Sequence, residues 1–80
     1  MERRGGQTVV LKFENRSNGR YYIILTDGDL LNEFVITVIH GSSFSRHVRH
    51  YGYHCAASFQ SEIKRLTSRR FKRGYELISQ

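Results

Sequence analysis

Apolar and polar residues alternate along the first two thirds of the chain and then change period. Residues 8–14 set Leu11 and Phe13 two apart among β-branched neighbours, the spacing of a half-buried strand. Asn15-Arg16-Ser17-Asn18-Gly19 supplies turn chemistry. Residues 21–25, Tyr-Tyr-Ile-Ile-Leu, form an unbroken apolar run that suits a strand inside a sheet. Thr26-Asp27-Gly28-Asp29 reads as a hairpin turn, with Gly28 free to take positive φ. Residues 33–39 give a third strand, and His40-Gly41-Ser42-Ser43 reads as the loop after it. A fourth, polar strand covers residues 45–53, with Val48 and His50 on one face and Arg49, Tyr51 and Tyr53 on the other.

From there the period becomes helical. Phe59, Ile63 and Leu66 stand at i, i+4 and i+7, which predicts a helix from about residues 55–58 to about Arg73 with one apolar face. Gly74 can take the left-handed conformation that stops a helix, and Arg70, Lys72 and Arg73 sit where the negative end of the helix dipole favours cations. Arg70 is in register with Ile63 and Leu66, so its stem is expected over apolar surface with its head in water. Residues 75–78 add a short last strand or fold back onto the sheet. These elements predict an α+β fold: an antiparallel sheet of four to five strands with one C-terminal helix packed on one face. After a flexible start at residues 1–7, residues 8–80 form a single domain.

Length and composition agree with a small folded module. Eighty residues hold one core, and 39% apolar content with five Phe and five Tyr is too rich for a disordered tail. No run of 18 apolar residues could cross a bilayer, and residues 1–7 lack the apolar centre of a secretory signal, so no membrane partner is expected. Cys55 is the single cysteine and cannot form an internal disulfide, which favours a reducing, cytoplasmic setting.

Charge placement sharpens the picture. Residues 1–45 hold five basic and five acidic side chains; residues 46–80 hold eight basic and two acidic, so the whole net charge of +6 belongs to the second part. Segregated positive charge attracts polyanions, nucleic acid foremost. The candidate surface comprises Arg46, Arg49, Lys64, Arg65, Arg69, Lys72 and Arg73, with Tyr51 and Tyr53 interleaved. Dispersed cations suit phosphate oxygens, and aromatic faces suit bases or sugars. The plainer reading of the same residues is a solvated basic helix with the tyrosines packed beneath it.

His47, His50, His54 and Cys55 are metal-ligand types in a short span, but structural zinc draws on two separated ligand pairs, and strand alternation sends His47 and His50 to opposite faces. They read as surface histidines, with no metal and no cofactor. Cys55 beside His54 does not make a nucleophile and base, because adjacent side chains do not readily meet. Asp27 and Asp29 flank a turn glycine, and neither a glycine-rich phosphate loop nor a metalloprotease motif is present. The chain is therefore expected not to be an enzyme.

In this order the residues resemble the WGR domain, a small module of DNA-damage-responsive poly(ADP-ribose) polymerases and of many bacterial proteins. The tail carries the likeness: Glu62-Ile63-Lys64-Arg65-Leu66 through Lys72-Arg73-Gly74-Tyr75 follows the family's helix. Residues 21–25 look like its aromatic strand and residues 35–39 like the strand leading into the signature. At the signature tripeptide itself stand His40, Gly41 and Ser42, so Gly41 alone matches, and the chain has no Trp. The resemblance implies the fold given above and contact with DNA, though the family's Trp and Arg have no counterpart to carry over. The combined expectation is a module that binds nucleic acid, DNA in preference to RNA, through phosphates and with little sequence preference. The alternative is a protein-interaction or regulatory module whose basic face docks an acidic protein.

Overall fold

A computed structural model describes residues 7–28 and 34–79. Its element order is β1 (Gln7–Asn15), β2 (Arg20–Gly28), β3 (Phe34–Gly41), β4 (Arg46–Tyr53), α1 (Ala56–Lys72) and β5 (Glu76–Ser79). The strands form one antiparallel sheet in the order β4-β3-β2-β1-β5, with α1 on one face. The expected α+β architecture is present, with residues 76–79 supplying the fifth strand beside β1.

Two boundaries differ from expectation because cross-strand pairing outweighs local turn chemistry, and a third by one residue. Thr26, Asp27 and Gly28 continue β2 instead of turning: Asp27 pairs with Thr8 on one side and Val35 on the other. His40 and Gly41 likewise extend β3 instead of forming a loop, opposite Tyr22 and Tyr21 of β2 and His47 and Arg46 of β4. Gln7 belongs to β1, whereas the rest of the expected flexible start, residues 1–6, lies outside the described residues, as do Asp29 and Glu33.

The pairing register assigns the faces. Leu11, Phe13 and Asn15 of β1, Tyr22, Ile24 and Thr26 of β2, Phe34, Ile36, Val38 and His40 of β3, and His47, Arg49, Tyr51 and Tyr53 of β4 share the inner face beneath α1. Phe13, Ile24, Ile36 and Val38 are buried there against Phe59 and Leu66, with Ile63 partly buried beside them, so the predicted helical stripe is the lid of the core. The opposite face carries Val10, Ile23, Leu25, Val35, Ile39 and Val48, and no described element covers it.

The helix crosses the sheet diagonally. Near its start Phe59 packs on Phe34 and Tyr53, at centroid distances of 4.9 and 6.4 Å; near its end Phe71 meets Phe13 edge-on at 5.7 Å. It begins at Cys55, whose side chain makes no capping hydrogen bond. Its end is firmly built. Gly74 has φ +87°, its N–H donates to the Phe71 carbonyl, and the Tyr75 N–H donates to the Arg70 carbonyl, the paired bonds of a Schellman stop.

Candidate nucleic-acid interface

The diagonal crossing decides which of the predicted cations lie together. Arg65, Arg69 and Lys72 recur at i, i+4 and i+7 along one flank of α1 and, with Ser68 and Arg73, line a groove of about 360 Å³. This flank faces β4: the phenol of Tyr53 is raised first by burial and then by Glu62, and is lowered by Arg65. On the inner face of β4 stand Arg49 and Tyr51, both exposed, and the partly buried Tyr53. The groove itself is lined by α1 and Arg73 alone, and the exposed Arg49 and Tyr51 stand on the edge strand outside that lining.

Two predicted cations stand elsewhere. Arg46 pairs with Gly41 in the register that places it on the outer face beside Val48 and His50, opposite in sense to Arg49. Lys64 shares its flank with Phe71, seven residues on, which packs toward Phe13 in β1; it therefore lies across the helix from the groove. A third cation is partly spent. Arg65 donates through Nε to Glu62 Oε1 at 2.9 Å, and a second bond joins its terminal nitrogen to Oε2. That fork holds the Glu62 carboxyl below its usual range and raises the guanidinium further. Tyr53 is a core-side ring packed on Phe59, whereas Tyr51 remains open to a ligand.

Of the other described carboxylates, Glu14 and Glu76 pair across β1 and β5, at the edge of the sheet away from β4, with Arg16 3.9 and 3.6 Å from them, and Asp27 stands in β2 on the outer face. β4 is also an edge strand, and charged side chains there hinder pairing with another sheet, a purely structural use of Arg46 and Arg49.

His40, Gly41 and Ser42 lie in a cleft of about 640 Å³ that also contains Arg20, Arg70 and Arg73. Gly41 is required by its neighbour: a Cβ there would collide with the Ser45 carbonyl, because the chain folds back at once from β3 into β4. The Ser42 N–H donates to that carbonyl at 3.0 Å. At the tip of this hairpin Phe44 is 98% exposed. Sequence reading passed over Phe44, and its signal was visible: a large aromatic placed among serines in a turn.

Of the four candidate metal ligands, His47 and His50 fall on opposite faces, and His50 Nδ1 meets Thr37 Oγ1 at 3.0 Å. Among the described residues no group of three or more His, Cys, Asp or Glu is placed to hold a metal ion. The Cys55 thiol is exposed and, without forming a full capping hydrogen bond, lies near enough to the N–H groups of Ser58 and Ala57, and to the Ser58 side chain, to be held below its ordinary range. No described helix is long and apolar enough to cross a membrane. Comparison with protein-family models, with curated proteins and with solved structures finds no match to this chain.

Proposed function

We propose that this chain is a cytoplasmic, non-enzymatic, WGR-like module that binds nucleic acid, DNA in preference to RNA, by its phosphates and with little regard to sequence. The observation that carries this reading is the row Arg65, Arg69 and Lys72, with Arg73, along one groove of α1, beside which the edge strand β4 adds the exposed Arg49. Phosphate oxygens accept from such spaced donors without any base being read. Tyr51 on β4 and the exposed Phe44 at the β3–β4 turn offer rings to bases or sugars.

We take Arg49, Arg69, Lys72 and Arg73, the exposed cations of this region that form no ion pair among the described residues, as the phosphate-contacting set. About four contacts give log K against log salt a slope of about −3.5 on duplex DNA, at roughly −0.9 per contact. Fluorescence anisotropy with a labelled duplex measures it. The double change Arg69→Ala and Arg73→Ala flattens the slope by up to about two units and weakens all sequences alike. Absence of duplex and single-strand binding at low salt by the folded protein removes this reading.

One observation favours the alternative, a protein-interaction module. Val35 and Val48 are exposed on the uncovered face, beside Ile23, Leu25 and Ile39, with Lys12 and Arg46 as the cations of that face among the described strand residues. A partner docked there would leave the basic groove of α1 idle, and charge reversal in the groove would not disturb it. An acidic protein docked in the groove instead would lose affinity under the same reversal.

A further inference from the structure

Because α1 runs diagonally, one corner of the inner sheet face stays open and becomes the cleft of about 640 Å³. Its floor is a row of rings in register across three strands: Tyr22 of β2 opposite His40 of β3, and His40 opposite His47 of β4. The rings are stacked, with centroids 5.8 and 5.1 Å apart. Arg20 from β2 and Arg70 and Arg73 from the end of α1 complete the lining, which includes no carboxylate.

Arg70 is the most constrained of these cations. Its guanidinium carbon lies 4.1 Å from the centroid of Tyr22 and 5.0 Å from that of Tyr75. It forms no ion pair among the described residues, and its Nε is buried without a hydrogen-bond partner. Contact with ring faces holds the charge in place but uses none of its N–H donors, which lie in the guanidinium plane. The buried Nε lies out of a ligand's reach, but the terminal N–H groups of the same guanidinium form no hydrogen bond among the described residues and can donate to an oxyanion in the cleft.

We propose that the cleft binds a small phosphate monoester, whose oxygens are taken by Arg20, Arg70 and Arg73 above the ring nitrogens of His40 and His47. A phosphate monoester brings a charge of about −1.5 to −2 and three strong acceptor oxygens, a match to three guanidinium groups that a carboxylate, with one charge and two oxygens, does not offer. The volume lies in the range of small-ligand sites, about 300–1,000 Å³. This inference does not rest on nucleic-acid binding: Arg20 and Arg70 are outside the helix-flank groove, and Arg73 alone lines both.

Proton linkage follows from the surroundings of His40, which is faced by Tyr22 from β2, His47 and Arg49 from β4 and Arg70 from α1. Burial first, then the charges of His47, Arg49 and Arg70, hold its imidazole below the ordinary histidine range. A bound dianion opposes those charges and raises it, so binding takes up a proton and weakens as pH rises.

Two-dimensional amide NMR on the whole chain tests this, with adenosine 5′-monophosphate as ligand, adenosine as its phosphate-free control, and sulfate for the pH series because its charge is fixed across the histidine range. The expected result is saturable shifts centred on His40, Gly41 and His47, no binding of adenosine, and sulfate affinity that falls from about pH 6 to pH 8. Arg70→Gln and Arg20→Gln should each weaken the monophosphate by about tenfold or more, the loss of one charge-assisted hydrogen bond. Arg20 is exposed on β2, so its variant keeps the fold even if Arg70→Gln melts early. The proposal is overturned by adenosine binding as well as its monophosphate, by shifts confined to residues 65–72, or by Arg20→Gln binding like the parent. Duplex binding persisting without monophosphate binding removes this inference alone, and the reverse removes only the nucleic-acid reading.

Discussion

The side-chain amide of Asn15 donates through Nδ2 to the Arg73 carbonyl at 3.2 Å, tying the end of β1 to the end of α1 across 58 residues of chain. Asn15 is buried, and its Oδ1 accepts from the Ser17 N–H at 3.0 Å and the Ser17 hydroxyl at 2.7 Å. One amide thus shapes a turn and satisfies a carbonyl that the helix leaves without an internal partner. Asn15→Ala should destabilise the domain by about 1–3 kcal/mol, and Asn15→Asp by at least as much, since a carboxylate cannot donate to Arg73. Thermal or urea unfolding measures both; parental stability in either variant would mean the tie contributes nothing.

Gly41 and Gly52 predict opposite outcomes from the same substitution. A Cβ at Gly41 runs into the Ser45 backbone, which cannot yield without breaking the β3–β4 hairpin, whereas nothing lies within 4 Å of a Cβ at Gly52. Gly41→Ala should cost several kcal/mol or rearrange the hairpin. Gly52→Ala should be neutral or stabilise by about 0.4–1 kcal/mol through the unfolded chain. Equal melting temperatures for the two variants would contradict this placement of the turn.

Glu62 restrains Arg65 by the two-bond fork between them. Glu62→Gln removes the charge and frees the guanidinium for phosphate, so duplex affinity should rise and the salt slope should steepen by up to about one unit. The fold should persist, because an exposed i,i+3 pair contributes only about 0.2–1 kcal/mol. Weaker DNA binding by this variant would place the groove elsewhere.

The Cys55 thiolate is favoured by N–H groups at the start of α1, so alkylation should follow a thiol titrating below the ordinary range. Iodoacetamide rates against pH should show a midpoint lower in the native protein than in denaturant. Coincident midpoints would mean that the helix start does not act on the sulfur.

Local signals in the sequence determined much of this protein. The period-two stretches, the Phe59–Ile63–Leu66 stripe and the Gly74 stop each describe a segment whose conformation is set by its own side chains and near neighbours, and the sheet-and-helix architecture follows from them. The basic second part was equally legible, because charge is counted without knowing where it lies.

Pairing and packing decided the rest. Residues 26–28 and 40–41 carry turn chemistry yet belong to strands, because neighbours on both sides pair with them and a backbone bonded on two flanks outweighs a local preference. Asn15 reads as a turn residue, and only the approach of Arg73 makes it a buried tie. That Arg20, Arg70 and the two histidines converge on one cleft depends on the angle at which α1 crosses the sheet. That angle is set by Phe59 seating on Phe34 and Tyr53 and by Phe71 meeting Phe13, contacts between distant residues that no local pattern records.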